Sequence, residues 1–215
     1  EMLWGKDGQA RLTAAHVIVF GLGGVGSYVA ECLARAGVGE LTLVDSDTVA
    51  LSNLNRQLLS EVSLLGVGKA QTAAERVRRV NPDVAVHAVG EFLTEENAAA
   101  LLTDCDAVLD GLDNIQSRQI LANACERAGI PLIYGAVNGW VAQAAISCPG
   151  DHLIDLLYPD GAALKNKSVL SFTPALCASM QVSLCVKFLT DHPVRTGTLY
   201  FFDLLNQEFE VIPMT

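Results

Sequence analysis

The chain has 215 residues, of which 51% are hydrophobic, 18% charged and 6% aromatic. That length suits one domain with a large aliphatic core that needs no disulfide or metal staple, and the low charge fraction excludes both a disordered polar chain and a Glu/Lys-rich coiled coil. Net charge is −10, from 14 Lys and Arg against 24 Asp and Glu, with neither a basic arm nor an acidic tail, which counts against broad binding to nucleic acid or an anionic membrane.

No uninterrupted apolar run approaches the ~18 residues that span a bilayer, and the first residues lack the basic-then-apolar order of a signal peptide. The expectation is a soluble, cytoplasmic protein. The cysteines at 32, 105, 125, 148, 177 and 185 form no Cys-x-x-Cys pair, and the histidines at 16, 87, 152 and 192 form no His-x-x-x-His pattern. Core packing is expected of the cysteines, with no zinc and no disulfide.

The apolar run His16 to Gly21, ended by glycines, reads as a strand buried on both faces, followed by a helix from Val25 to Ala36 and a second strand from Glu40 to Asp45. A helix over Lys69–Val80 stops before Asn81-Pro82, and Val84–Val89 reads as a third strand. Alternation continues with a helix at Glu95–Leu102, a strand at Ala107–Asp110, a helix at Asn114–Ala128 and a strand at Leu132–Ala136. Beyond these come a strand at Val141–Cys148, a loop-rich stretch to Ser168, a helix to Leu189 capped by Thr173 with Pro174 in its first turn, and a hairpin of Thr198–Phe202 with Glu208–Ile212. The fold class is therefore α/β: a Rossmann-like, mostly parallel sheet with helices on both faces, extended by a C-terminal antiparallel part, in one domain over residues 1–215.

Gly21, Gly23, Gly24 and Gly26 lie between a strand and a helix at the spacing of a dinucleotide turn, where phosphate approaches backbone N–H groups at the positive helix end. Asp45 ends the second strand, where an acid hydrogen-bonds ribose hydroxyls. NAD, FAD and ATP all fit this much. The following segment, Asn53-Leu54-Asn55-Arg56-Gln57, and then Val67-Gly68-Lys69 add two cations, Arg56 and Lys69, near the phosphate position. Hydride transfer has no use for them, whereas phosphoryl or nucleotidyl transfer does. A lysine opening a helix also opposes the helix dipole, which favours a functional reason for Lys69. Asp110 and Asp113 end the fourth strand and face the same crevice; Asp113 is either the cap of the next helix or a Mg²⁺ ligand. Arg118 lies one turn into that helix.

Together with Val44-Asp45, Ser52–Gln57, Asn81-Pro82, Leu109–Asn114 and Gly135–Trp140, these motifs resemble the ThiF/MoeB/HesA family, relatives of the ubiquitin-activating enzymes. The resemblance implies ATP and magnesium as cofactors and adenylation of the C-terminal carboxylate of a ubiquitin-like sulfur-carrier protein, by an enzyme that is usually a homodimer. It assigns Gly21, Gly23, Gly24 and Gly26 to the nucleotide turn, Asp45 to the ribose, Arg56 and Lys69 to phosphates, and Asp113 to magnesium, with Asn53 and Gln57 lining the site.

The chain departs from that pattern in three places. Where many relatives carry zinc-binding Cys-x-x-Cys pairs, it reads His152-Leu153-Ile154-Asp155 and Leu176-Cys177-Ala178-Ser179. Where some relatives carry a reactive loop cysteine, only Cys148 comes close, and it reads as structural. The arginine that relatives place upstream of Gly8–Leu12 does not precede that segment here, and Lys165 and Lys167 are its candidate substitutes. Two alternatives remain: a tRNA threonylcarbamoyladenosine dehydratase of the same family, whose polyanionic substrate suits a −10 chain poorly, and an NAD-dependent oxidoreductase.

Overall fold

In a computed structural model, residues 3–159 and 168–214 are described. One eight-stranded sheet organises them: β1 (His16–Phe20), β2 (Glu40–Val44), β3 (Ala85–Val89), β4 (Ala107–Asp110), β5 (Leu132–Asn138), β6 (Val141–Ser147), β7 (Thr198–Asp203) and β8 (Glu208–Pro213). Their spatial order is β3-β2-β1-β4-β5-β6-β7-β8. The first five run parallel, and β6, β7 and β8 continue the sheet antiparallel. Phe20 is in register with Val44 on one side and Asp110 on the other, so the ends of β1, β2 and β4 lie level.

The helices are α1 (Gly5–Ala14), α2 (Gly24–Ala36), α3 (Lys69–Val80), α4 (Glu95–Leu101), α5 (Ile115–Ala128), α6 (Leu153–Leu157) and α7 (Phe172–Leu189). The two-residue alternation of a strand divides β1 between two cores. Val17 and Val19 pack with Val29 and Leu33 of α2, Ala73 of α3, Leu184 of α7 and Leu12 of α1. Ile18 and Phe20 pack on the opposite face with Ala98 of α4, Leu121 and Cys125 of α5, and Leu153 of α6. Both faces being covered, Val17–Phe20 of β1 and Ala107–Leu109 of β4 are apolar at every position.

Helix α2 buries Val25, Val29 and Leu33, one stripe at four-residue spacing, and stops at Gly37, whose φ of 85° is open to glycine. Helix α7 is long and apolar enough to cross a membrane; here it buries Cys177, Ala178, Val182, Leu184 and Cys185 against α2 and the β5–β6 sheet, as a core helix does.

Several local expectations change. The chain before β1 forms α1, which sequence periodicity does not announce because only Gly8 and Leu12 of its residues are buried. Within the expected loop after β6, Leu153–Leu157 forms α6, burying Leu153 and Ile154. Thr173 does not cap α7: the helix begins at Phe172 after Ser171, and the Thr173 hydroxyl donates to the Gly139 carbonyl at 3.0 Å. Pro174 remains in the first turn, where its missing N–H has no intrahelical partner to lose. All six cysteines are free; Cys125, Cys177 and Cys185 are buried as core side chains.

Candidate active site

β1 lies between β2 and β4, and after β3 the chain crosses back over β1 to form β4. That reversal opens a crevice beyond the carboxyl ends of β1 and β4, the place where open α/β sheets bind ligands. A cavity of about 500 Å³ occupies it, lined by Gly21, Gly23, Gly24, Asp45, Asn53, Arg56, Gln57, Lys69 and Asp113 among others. Nine of the ten site residues expected from sequence therefore share one cavity wall. The tenth, Gly26, lies behind the turn: a Cβ there would sit 1.7 Å from the Gly21 carbonyl oxygen, so only glycine allows α2 to start so close to β1. Gly21 itself holds φ +81°.

Asp45 fixes the turn from the side of β2. Its Oδ2 accepts the Leu22 N–H at 2.6 Å and its Oδ1 the Asp47 N–H at 2.8 Å. Burial pushes the Asp45 carboxyl above its ordinary pKa, against the pull of these two N–H donors. Asn53 caps its own short turn, accepting the Ala50 N–H on Oδ1 at 2.9 Å, and the Gln57 Oε1 accepts the Ser60 hydroxyl at 3.2 Å. The Arg56 Nη1 donates to the Ser52 carbonyl at 2.8 Å and to Asn55 Oδ1 at 2.9 Å.

Lys69, buried at the first position of α3, places Nζ 2.8 Å from Asp47 Oδ2. That acid offsets the unfavourable helix dipole, so the helix-start position by itself gives no reason to assign Lys69 a function; the side chain lies on the cavity wall. Asp113 is exposed and is not the cap of α5, since Asn114 takes that role by accepting the Ser117 N–H at 2.8 Å. The carboxylate of Asp113 is an oxygen donor at the cavity rim, the kind of group Mg²⁺ takes together with phosphate oxygens. Among the described residues no group of three His, Cys, Asp or Glu side chains is arranged to hold a metal ion by itself. Lys165 and Lys167 lie outside the described residues.

The thiols are poor nucleophiles here. Burial pushes Cys125, Cys177 and Cys185 up to about 12 and Cys105 to about 11, and it also raises Cys148, whose N–H is held by Asp151 at 2.8 Å.

Sequence reasoning gives no part in the site to several further groups, noting Arg118 and Pro174 only for their places in helices. Asp47, Tyr158 and Pro174 line the cavity, and Arg118 reaches it from α5. Gln181 of α7, fully buried, donates to the Asp110 and Ile133 carbonyls, each at 2.9 Å. A lone glutamine inside an apolar helix was the available signal.

A doubly wound sheet with a glycine turn, an acid directly after β2 and cations on the wall of the switch-point crevice has the architecture of the Rossmann-type nucleotide-binding class. The ThiF family profile matches residues 1–215. A molybdopterin-synthase adenylyltransferase of Escherichia coli is 43% identical over 210 residues, covering 94% of this chain and 84% of that protein. A sulfur carrier protein adenylyltransferase of Thermus thermophilus is 40% identical over 219 residues, covering 95% and 80%. The crystal structure of the E. coli tRNA N6-threonylcarbamoyladenosine dehydratase superposes with a TM-score of 0.76 at 29% identity, covering 88% of this chain and 92% of that one. The chain belongs to the ThiF family.

Proposed function

We propose that this chain is an adenylyltransferase that transfers AMP from ATP to the C-terminal carboxylate of a ubiquitin-like sulfur-carrier protein, residues 1–215 acting as a single ATP-binding domain in the cytoplasm. The observation that carries the reading is the gathering of the glycine turn, Asp45, Arg56, Lys69 and Asp113 on one cavity. Two relatives named as adenylyltransferases, one of them for a sulfur carrier, match nearly the whole chain and support it.

In this reading the phosphates lie over Gly21, Gly23 and Gly24 at the positive end of α2. Ribose hydroxyls donate to Asp45, whose oxygens each keep a lone pair beyond the N–H they already accept. Lys69 exchanges Asp47 for a phosphate oxygen, and Arg56 takes another, while Asn53 and Gln57 line the wall beside them. Asp113 would hold Mg²⁺, which when bound neutralises phosphate charge. The carrier carboxylate is already ionised at pH 7. It attacks the α-phosphorus, the acyl–O–P bond forms as the bond to the β-phosphate oxygen breaks, and pyrophosphate leaves with the electron pair. No general base is needed, so positioning and charge neutralisation supply the catalysis.

A homodimer is part of the proposal. The exposed Leu51, Val62, Leu65 and Val67, all on the link between β2 and α3, support it as apolar surface for an interface.

ATP–pyrophosphate exchange with a panel of ubiquitin-like carriers ending in Gly-Gly is the test. Exchange that requires one carrier is expected; no exchange with any carrier, or NADH binding without ATP binding, overturns the reading. The likeness to the tRNA dehydratase favours a second reading, which salt-sensitive tRNA binding would support and the net charge of −10 opposes.

A further inference from the structure

We infer that Arg118 and Asp110 are a positioning pair that fixes the Leu112–Asp113 peptide, and through it the Asp113 carboxylate, at the cavity rim; the inference rests on the adenylation reading above. Both residues are buried to a degree rare for charges, Arg118 being 6% and Asp110 1% exposed. The Arg118 Nη1 lies 3.1 Å from Asp110 Oδ2, yet neither atom makes an aligned hydrogen bond. Apolar replacements of such a pair are often neutral or stabilising, so stability alone gives no reason for it.

The side-chain hydrogen bonds that the pair makes beyond itself converge on one residue. Asp110 Oδ1 accepts the Leu112 N–H at 2.8 Å, and the Arg118 Nη2 donates to the Leu112 carbonyl oxygen. One partner grips the peptide before Leu112 and the other the peptide after it, which is the peptide that carries Asp113. Three residues separate the last position of β4 from the Asn114 cap of α5, so this segment has no helix or strand to set its planes. Gln181 holds the Asp110 carbonyl from behind. Arg118 also lies over the Tyr134 ring, 5.1 Å from its centroid; the Tyr134 hydroxyl is 2.6 Å from that of Tyr158, and Tyr158 lines the cavity with Asp113. The same guanidinium therefore braces the two walls.

The charge-balanced double variant Asp110→Leu/Arg118→Met removes the grip without leaving a lone buried charge. Three measurements read it: thermal unfolding, Mn²⁺ binding in the presence of ATP by electron paramagnetic resonance, and carrier-dependent exchange. Expected are a midpoint close to wild type, at least fivefold weaker Mn²⁺ binding, and about a hundredfold fall in kcat at nearly unchanged KM for ATP, the cost of misplacing a group by about 1 Å. In an Asp113→Ala background the double variant should weaken Mn²⁺ binding no further, because the pair acts through Asp113. Wild-type Mn²⁺ affinity in the folded double variant, or a full additional loss in the Asp113→Ala background, overturns the inference. If the double variant does not fold, Arg118→Lys decides: it keeps a cation beside Asp110 but loses the two-handed guanidinium, and unchanged Mn²⁺ affinity there refutes the positioning role. Mn²⁺·ATP binding requires no carrier, so absence of exchange in the wild type would sink the proposed function while this readout still decides the pair. A wild-type protein that binds no Mn²⁺·ATP overturns both.

Discussion

Gly26→Ala isolates the backbone geometry of the nucleotide turn. The added Cβ would stand 1.7 Å from the Gly21 carbonyl oxygen and 2.8 Å from its carbonyl carbon, where ordinary contact begins near 3.4 Å. Both opposing atoms are backbone, so no side chain can swing aside, and α2 and the turn must separate by well over an ångström. Overpacking of this kind costs about 1–3 kcal/mol, which for a chain of this length lowers the melting midpoint by about 2–12 °C. The same displacement carries the N–H groups at the start of α2 away from the phosphate position, and an error of about 1 Å there costs about a hundredfold. Differential scanning calorimetry and ATP titration calorimetry measure the two losses. Gly68→Ala is the control: with φ −59° and ψ 133° and nothing within 4 Å of its Cβ position, it should stay within about 0.5 kcal/mol of wild type. A Gly26→Ala protein with wild-type midpoint and ATP affinity would refute the steric reasoning, and with it the view that this glycine is required for the turn.

Asp113→Ala should abolish carrier-dependent pyrophosphate exchange while leaving the melting midpoint in place, because the residue is exposed at the rim; full exchange would remove the magnesium assignment. Arg56→Ala and Lys69→Ala should each slow exchange by about two orders of magnitude if they neutralise transferring phosphate, and single-turnover kinetics would reveal a smaller effect. Glu31, bridging α2 and α3, has its carboxyl held below the ordinary value of 4.5 chiefly by Arg76, with Arg35 adding to this against the effect of burial. A depressed carboxylate stabilises the fold above its unfolded pKa and loses that contribution as pH falls through the folded one. The gap in urea midpoint between wild type and Glu31→Gln should therefore be full at pH 7 and close on acidification below about pH 4.5; a gap constant down to pH 3 would count against the pairing. Leu109→Ala, in the middle of β4 and fully buried, should cost about 2–5 kcal/mol in chemical denaturation.

The parallel strands and the glycine turn are legible in the sequence because both are local signals. A buried strand between two helical layers must be apolar at successive positions, as Val17 to Phe20 are, and a helix that starts against a strand end must offer glycine where backbones meet, as Gly26 does. Asp45 and Asp113 are legible for the same reason, the first directly following β2 and the second lying in the short link between β4 and α5, beside strands whose type is already clear. The helix α1 and the short α6 escape such reading, since each buries too few side chains to leave a periodic trace.

What the tertiary structure alone decides is which charges meet. Lys69 at a helix start looks unpaired until Asp47 is brought beside it, and Asp110 looks like a second rim acid until α5 delivers Arg118 over it and α7 delivers Gln181 behind it. Lys69 meets Asp47 across 22 positions and Gln181 meets Asp110 across 71, while Arg118 reaches Asp110 from the next element only because α5 packs back over the end of β4; no periodic pattern in the sequence records these meetings. The sequence by itself thus determined the kind of fold and most of the residues that line the cavity. The packing determined how those residues are held, because a buried charge has to be balanced by whatever group the fold brings within reach.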